Sequence, residues 1–260
     1  MDATYWHKQD PSQPLFPDLL WSRPVNRAHA GKLLVAGGNQ HGFSSVSYAF
    51  AAVDKAGVGQ AKLLLPDSLR KIVGDSLPNT EFAPSTTIGS FSQKALDGML
   101  DLGNWADAVL LAGDFGHNSE TAAMLEKFIM KYNDNLTVAG DAVDIFMSNT
   151  SLLSRKNTLL VITPSQLRKL GINAKYQKAF VSDLGLMQLV DILHGFSEQF
   201  GIYIATLHQN IIVLAAKGQV STTPWPDSNN WEQNVAVKNA VWWLQNKSKP
   251  FESMTVSLAI

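Results

Sequence analysis

Two loops in the sequence have residue types that can hold an anion against backbone amides. Gly37-Gly38-Asn39-Gln40-His41-Gly42 and Gly113-Asp114-Phe115-Gly116-His117-Asn118 each follow a short apolar run and precede a helix-like stretch. Glycine allows a tight turn and close approach of a ligand to the backbone. The first turn of a helix leaves amide donors open to a phosphate or carboxylate. Neither loop is a Walker A sequence or G-x-G-x-x-G, so a plain tight turn explains the glycines equally well. A third loop, Ala139-Gly140-Asp141-Ala142, puts a carboxylate just past an apolar run. There it can hold a metal, take a substrate hydroxyl or cap a buried helix. Thr163-Pro164-Ser165 has the pattern of a helix start, and capping is its simplest role.

The elements that must position these loops alternate along the chain. Lys32–Ala36, Gln60–Leu65, Asp107–Ala112, Leu136–Ala139, Asn157–Ile162, Ile202–Ala205 and Asn210–Ala215 read as short apolar strands. Ser44–Ala56, Ser119–Tyr132, Lys175–Gln199, Asn234–Gln245 and Phe251–Ile260 read as helices. Such alternation predicts one mostly parallel sheet with helices on both faces, an α/β domain over 31–260. Residues 1–30, rich in proline and with little periodicity, read as an extended arm packing its Trp and Phe side chains on that domain. In such sheets ligands sit beyond the carboxyl ends of the strands, where all of these loops fall.

Composition narrows the chemistry. The 260 residues contain no cysteine, which excludes thiolate zinc sites, iron–sulfur clusters, a cysteine nucleophile and disulfides. Lys plus Arg (21) balances Asp plus Glu (22), which argues against a dedicated nucleic-acid surface. No apolar run reaches the ~20 residues of a membrane span, and the polar, acidic start is unlike a signal peptide, so the expectation is a cytoplasmic protein. The six histidines show no close ligand spacing, so no metal site is expected, and G-x-S-x-G is absent. Trp242-Trp243 lies in a helical stretch and reads as core or interface packing.

Taken in order, the loops resemble those of the ADP- or ATP-dependent NAD(P)H-hydrate dehydratases, members of the ribokinase-like superfamily. Asn26–Asn39 (NRAHAGKLLVAGGN) is similar to that family's opening HKGxxGxVLVIGGS pattern, and Ala56-Gly57-Val58-Gly59 to its first helix end. Asp107–Gly116 (DAVLLAGDFG) resembles its DAVVIGPGLG, Ala139–Val143 its DADAL, and Thr163-Pro164 its threonine-proline motif. Gln233–Asn246 and Pro250-Phe251-Glu252-Ser253 echo its C-terminal segment. The resemblance implies a three-layer α/β/α ribokinase-like fold. It also implies repair of hydrated NADH or NADPH driven by ADP or ATP with Mg²⁺, and a homo-oligomer, dimer or tetramer.

By the same resemblance, Gly38, Asn39, Gly113, Asp114, Gly116, His117 and Asp141 would face the dinucleotide substrate. His208, Gln209, Asn230, Trp231 and Gln233 would face the nucleotide. The sequence departs from the family where phosphate chemistry is done. The family's TGGTGD loop reads Asn229-Asn230-Trp231-Glu232-Gln233-Asn234 here, without a glycine. Asn234 stands in place of the Asp that acts on the substrate hydroxyl, and an amide cannot accept that proton. His208-Gln209 replaces a Lys-Gly, Asn26-Arg27 a His-Lys, and TPHxGE is shortened. Losing a general acid–base group costs about 10²–10⁴ in rate, and losing one anion donor about 10²–10³. Activity therefore requires a substitute from the same loop, Glu232 or Asp227, of which Glu232 is the candidate base. The alternatives are a catalytically silent nucleotide-binding paralogue or scaffold subunit, and a small-molecule kinase, which needs the same missing Asp.

Overall fold

The computed structural model describes residues 4–74 and 76–260. Its sheet contains β1 (Trp6–Lys8), β2 (Lys32–Gly37), β3 (Gln60–Pro66), β4 (Thr80–Ala83), β5 (Ala108–Gly113), β6 (Asn135–Val138), β7 (Thr158–Val161), β8 (Tyr203–His208), β9 (Ile211–Ala216) and β10 (Gln219–Pro224). The ten strands are ordered β1-β10-β9-β8-β7-β6-β5-β2-β3-β4. From β4 across to β8 every pair is parallel. β9 runs against both of its neighbours, and β1 lies parallel beside β10. The helices are α1 (Asp18–Trp21), α2 (Ser44–Ala56), α3 (Arg70–Val73), α4 (Leu96–Trp105), α5 (Ser119–Lys131), α6 (Asp144–Ser148), α7 (Pro164–Asn173), α8 (Leu186–Phe200), α9 (Trp231–Gln245) and α10 (Pro250–Ser257).

The apolar runs are continuous because each central strand is covered on both sides. In β2, Leu33 and Val35 meet one core layer while Leu34 and Ala36 meet the other. The first layer packs on α2, α9 and α10 through Val46, Val53, Val235, Val241 and Met254. The second packs on α4, α5, α7 and α8 through Met99, Phe128, Leu167 and Phe196. The architecture is the expected three-layer α/β/α sandwich. The buried residues of α2 (Val46, Ala49, Val53, Ala56) fall at helical spacing, and Gly57 ends that helix in a left-handed cap.

Two expectations are corrected. The helix read over Lys175–Gln199 begins only at Leu186, and 174–185 is irregular. Lys175 adopts a left-handed conformation (φ 52) just after α7, which breaks the helical path. Gly185 then starts α8, its N–H donating to the Gln188 side chain at 3.0 Å. Second, part of the N-terminal arm is regular structure: β1 joins the sheet and α1 follows, while residues 1–3 lie outside the described residues. Trp6 Nε1 donates to Thr222 Oγ1 at 3.0 Å. The buried Gln9 Nε2 donates to Thr223 Oγ1 (3.0 Å) and to the Thr255 carbonyl (2.6 Å), tying the arm to β10 and α10. Trp242 and Trp243 take the core role of the two read for them, and both are buried inside the chain. Trp243 packs edge-on against Tyr203 at 5.2 Å, and Arg23 covers Trp242 at 4.5 Å.

Candidate functional site

After β2 the chain moves outward to β3 and β4, then returns to β5 on the other side of β2. The loops leaving β2 and β5 therefore diverge, and a crevice opens at their carboxyl ends. The glycines of these loops are explained by backbone contact. A Cβ on Gly37 would come within 2.3 Å of the Gly113 carbonyl oxygen. One on Gly140 would come within 3.0 Å of the Gly113 Cα. The Gly38 N–H donates to the Gly113 carbonyl at 3.1 Å. Three successive strand ends, β2, β5 and β6, are thus stacked backbone on backbone.

Side chains complete the packing of the loops. Asn39 Nδ2 donates to the Asp114 carbonyl (2.7 Å) and Asn39 Oδ1 accepts the His41 N–H (2.8 Å). Asp114 sits in the left-handed region (φ 60). Its carboxylate accepts the Ser45 N–H at 2.7 Å and the Ser45 hydroxyl at 3.0 Å. The first turn of α2, expected to offer amides to a ligand, thus holds the protein's own carboxylate there. Asp141 braces the next loop, accepting the Phe115 N–H at 3.1 Å and the Gly116 N–H at 2.8 Å. Burial raises its pKa, the two amides pull it down, and the negative charges of Asp114 and Asp144 push it up.

Glu232 arrives from the other side of the crevice, in the first turn of α9. Burial raises its carboxyl above the ordinary carboxylate range, against the pull of the Gly140 amide beside it. Two carboxyls with raised pKa values therefore flank the end of β6. Asn234, one turn into α9, accepts the Tyr48 hydroxyl at 3.2 Å and links α9 to α2. Before α9, Asn230 is left-handed (φ 48), and the Asn229 N–H donates to Asp227 Oδ1 at 2.9 Å. Trp231 is buried and Gln233 half-buried.

The structure thus gathers Gly38, Asn39, Gly113, Asp114, Gly116, Asp141, Glu232 and Asn234 around one crevice. His117 lies exposed at its outer end. His208 and Gln209 are set apart, at the end of β8 and in its turn to β9. β8 lies three strands from β5, roughly 14 Å at the usual strand spacing. Residues not foreseen from the sequence are Ser45, Tyr48 and Gln166. Gln166 Nε2 donates to the Gly140 carbonyl (2.9 Å) and to Asp144 (3.3 Å). Its signal was legible: Thr163-Pro164-Ser165-Gln166 is a capping box, with Gln166 N–H to Thr163 Oγ1 at 3.3 Å and Thr163 N–H to Gln166 Oε1 at 3.1 Å. The capping reading of Thr163 holds.

Mg²⁺ demands near-octahedral oxygen ligands. Asp114, Asp141 and Asp144 are engaged by backbone or amide donors, and no group of three or more His, Asp or Glu among the described residues could hold a metal ion. Among the described residues the side chains form no dedicated cage for a divalent ion. Among the described residues no helix is long and apolar enough to cross a membrane.

Comparison with known proteins agrees with this architecture. No protein-family profile matches the chain. A bifunctional NAD(P)H-hydrate repair enzyme of Moorella thermoacetica is 24% identical over 138 residues, a match covering 52% of this chain and only 26% of that protein. A ribokinase-like superfamily protein from Enterococcus faecalis superposes with a TM-score of 0.74 at 12% identity, covering 100% of this chain and 87% of the other. An ADP/ATP-dependent NAD(P)H-hydrate dehydratase from Bacillus subtilis, co-crystallised with ATP and Mg²⁺, gives 0.59 at 12% identity over 94% and 85% of the chains. A Staphylococcus aureus pyridoxal kinase in complex with AMP-PCP and pyridoxal gives 0.56 at 12% over 87% and 84%. The chain has the ribokinase-like fold, with NAD(P)H-hydrate dehydratases among its structural neighbours and a distant sequence likeness to an NAD(P)H-hydrate repair enzyme.

Proposed function

We propose that this chain is an ADP- or ATP-dependent NAD(P)H-hydrate dehydratase in which Glu232 replaces the usual acid–base group. The observation that carries the reading is Glu232 itself: a half-buried carboxyl of raised pKa at the N-terminus of α9, beside Gly140 and the Asp141 loop. A perturbed carboxyl at a strand-end crevice suits proton transfer. In this reading the nucleotide's phosphates lie toward the first turn of α9, near Asn230, Trp231 and Gln233, with His208 and Gln209 farther along the sheet edge. ADP or ATP brings Mg²⁺ with it as cosubstrate. The hydrated nicotinamide lies against Gly38, Asn39, Gly113, Gly116 and Asp141. Glu232 accepts the proton of the substrate hydroxyl as the hydroxyl oxygen attacks the terminal phosphoryl group of ADP or ATP and releases AMP or ADP. Departure of the phosphate ester as inorganic phosphate, with loss of the proton on the adjacent ring carbon to solvent, then restores the ring double bond. A dimer or tetramer is part of the same proposal and is sized by light scattering.

The test is recovery of NADH absorbance from hydrated NADH with Mg²⁺ and ADP or ATP. The expected outcome is recovery that falls about 10²–10⁴-fold in Glu232→Gln. Its rate is expected to rise with pH through an apparent pKa above the ordinary carboxylate value, because the base works only when ionised. No recovery with the wild-type chain refutes catalysis. A second reading, a silent nucleotide-binding paralogue, is favoured by a separate observation. The amides of Ser45, Phe115 and Gly116 are already satisfied by Asp114 and Asp141 rather than open to a ligand anion. Thermal shifts with ADP, ATP and NADH but no turnover would select it; no shift with any of the three would remove nucleotide binding altogether.

A further inference from the structure

A cavity of about 210 Å³ lies between α7, the irregular segment 174–185 and the end of β8. Its apolar wall includes Leu167, Phe180 and Leu189, which belong to the core layer on the face of the sheet opposite α9. None of its lining residues belongs to α9 or to the 113–116 and 139–144 loops, although they include His208. The volume is below the ~300–1,000 Å³ of pockets for drug-sized ligands, so it takes one ring system and not a dinucleotide. Phe180 packs edge-on against Phe196 at 5.6 Å, which holds the wall in place. Segment 174–185 is fixed at several points. Lys178 pairs with Asp191 at 2.7 Å, the Tyr176 hydroxyl donates to the Ile192 carbonyl at 3.3 Å, and Arg168 Nη1 donates to Ser182 Oγ at 3.2 Å.

Two features of the lining point to a ligand. Thr206, on the cavity wall, is 1% exposed, and its hydroxyl has no hydrogen-bond partner. A buried hydroxyl left unpaired costs about 1–3 kcal/mol, a loss that a bound polar substituent would recover. Second, the lining contains Arg168 and His208 but no carboxylate, and the N-terminal turn of α7, at Ser165, opens on it. The field at the mouth thus favours an anion. We propose that this cavity is a binding site for a small aromatic or heteroaromatic acid. The ring lies among Leu167, Phe180 and Leu189, a polar ring substituent pairs with the Thr206 hydroxyl, and the carboxylate meets Arg168 at the mouth.

The probes are 4-hydroxybenzoate, benzoate and 4-hydroxybenzyl alcohol, titrated by calorimetry into the full chain and into Thr206→Val and Arg168→Gln. Thr206→Val keeps the shape and removes only the hydroxyl; Arg168 is exposed, so Arg168→Gln leaves the core intact. Saturable binding of 4-hydroxybenzoate is expected. Arg168→Gln is expected to weaken both acids by about tenfold, the worth of one charge-assisted hydrogen bond. Thr206→Val is expected to weaken 4-hydroxybenzoate and leave benzoate unchanged. The alcohol is expected to bind more weakly than either acid. Absence of saturable binding up to millimolar probe, or binding indifferent to both substitutions, overturns the proposal. Displacement of bound 4-hydroxybenzoate by ADP also overturns it, by showing the cavity to be part of a nucleotide site. Failure of the NADH-recovery assay leaves this test untouched, because the probes are read by direct binding and no lining residue lies on α9. His208, which lines the cavity and is placed toward the nucleotide above, is the reason ADP is included as a competitor.

Discussion

Replacing Asp114 separates two physical contributions at one position. Its carboxylate accepts two hydrogen bonds from Ser45 at the start of α2, and its backbone is left-handed (φ 60). Removing charge-assisted bonds at a helix N-terminus costs about 2 kcal/mol, allowing for water that replaces them in part. Alanine adds a penalty of about 1 kcal/mol for a left-handed backbone that glycine avoids, after allowance for the greater freedom of glycine in the unfolded chain. Asparagine keeps one acceptor oxygen and tolerates the conformation. The expected order of stability is therefore wild type, then Asp114→Asn, Asp114→Gly and Asp114→Ala, with Asp114→Ala about 3 kcal/mol below wild type. For a chain this long, that is a loss in Tm of about 6–12 °C. The assay is urea unfolding at neutral pH, compared at constant m. Asp114→Gly also frees the Ser45 amide, so inorganic phosphate is expected to stabilise it more than it stabilises wild type. Asp114→Ala equal to or more stable than Asp114→Gly would refute both the strained conformation and the capping role.

Further outcomes follow from the same loops. Gly37→Ala places a Cβ 2.3 Å from the Gly113 carbonyl and is expected to cost more than about 3 kcal/mol, whereas Gly42→Ala meets nothing within 4 Å and is expected to cost less than about 0.5; thermal unfolding of the pair distinguishes them. Asp141→Asn turns one amide-accepting oxygen into a donor facing a donor, and is expected to cost about 1–3 kcal/mol, with faster hydrogen exchange at Phe115 and Gly116. Glu232 has a raised folded pKa, so the stability it contributes is fully present below its unfolded value near 4.5 and is lost as pH rises through the folded value. Relative to wild type, Glu232→Gln is therefore expected to gain in Tm as pH is raised from about 4 to about 7, and a pH-independent difference would show that burial is not what perturbs the carboxyl.

Much of the fold was legible because buried parallel strands leave short apolar runs closed by glycine or proline, as at Lys32–Gly37 and Ala108–Gly113. β4 was not, because Thr80–Ala83 has only 4 residues and lies at the sheet edge, where burial is partial. α4 was hidden by Gly98 and Gly103 within its LDGMLDLGNW sequence. The helix read over Lys175–Gln199 is too long because its first eleven residues form a loop, in which Tyr176 and Phe180 pack their rings on Phe196 of α8.

The candidate site divides in the same way. Residue order placed Gly38, Asn39, Gly113, Asp114, Gly116 and Asp141 at strand ends, and periodicity placed those strands in one mostly parallel sheet without setting their order. Neither could say which donors and acceptors would meet. That Asp114 reaches Ser45, 69 positions away, and Asp141 the amides of Phe115 and Gly116 follows from strand order, β6 beside β5 and β5 beside β2. The sequence by itself determined the α/β layering and the positions of the loops, because hydrophobic period and glycine placement are local properties. Only the tertiary structure decided that the amides of two of these loops are filled by the chain's own carboxylates and that Glu232 is half-buried beside Gly140, because burial and hydrogen-bond partnership belong to contacts between distant segments.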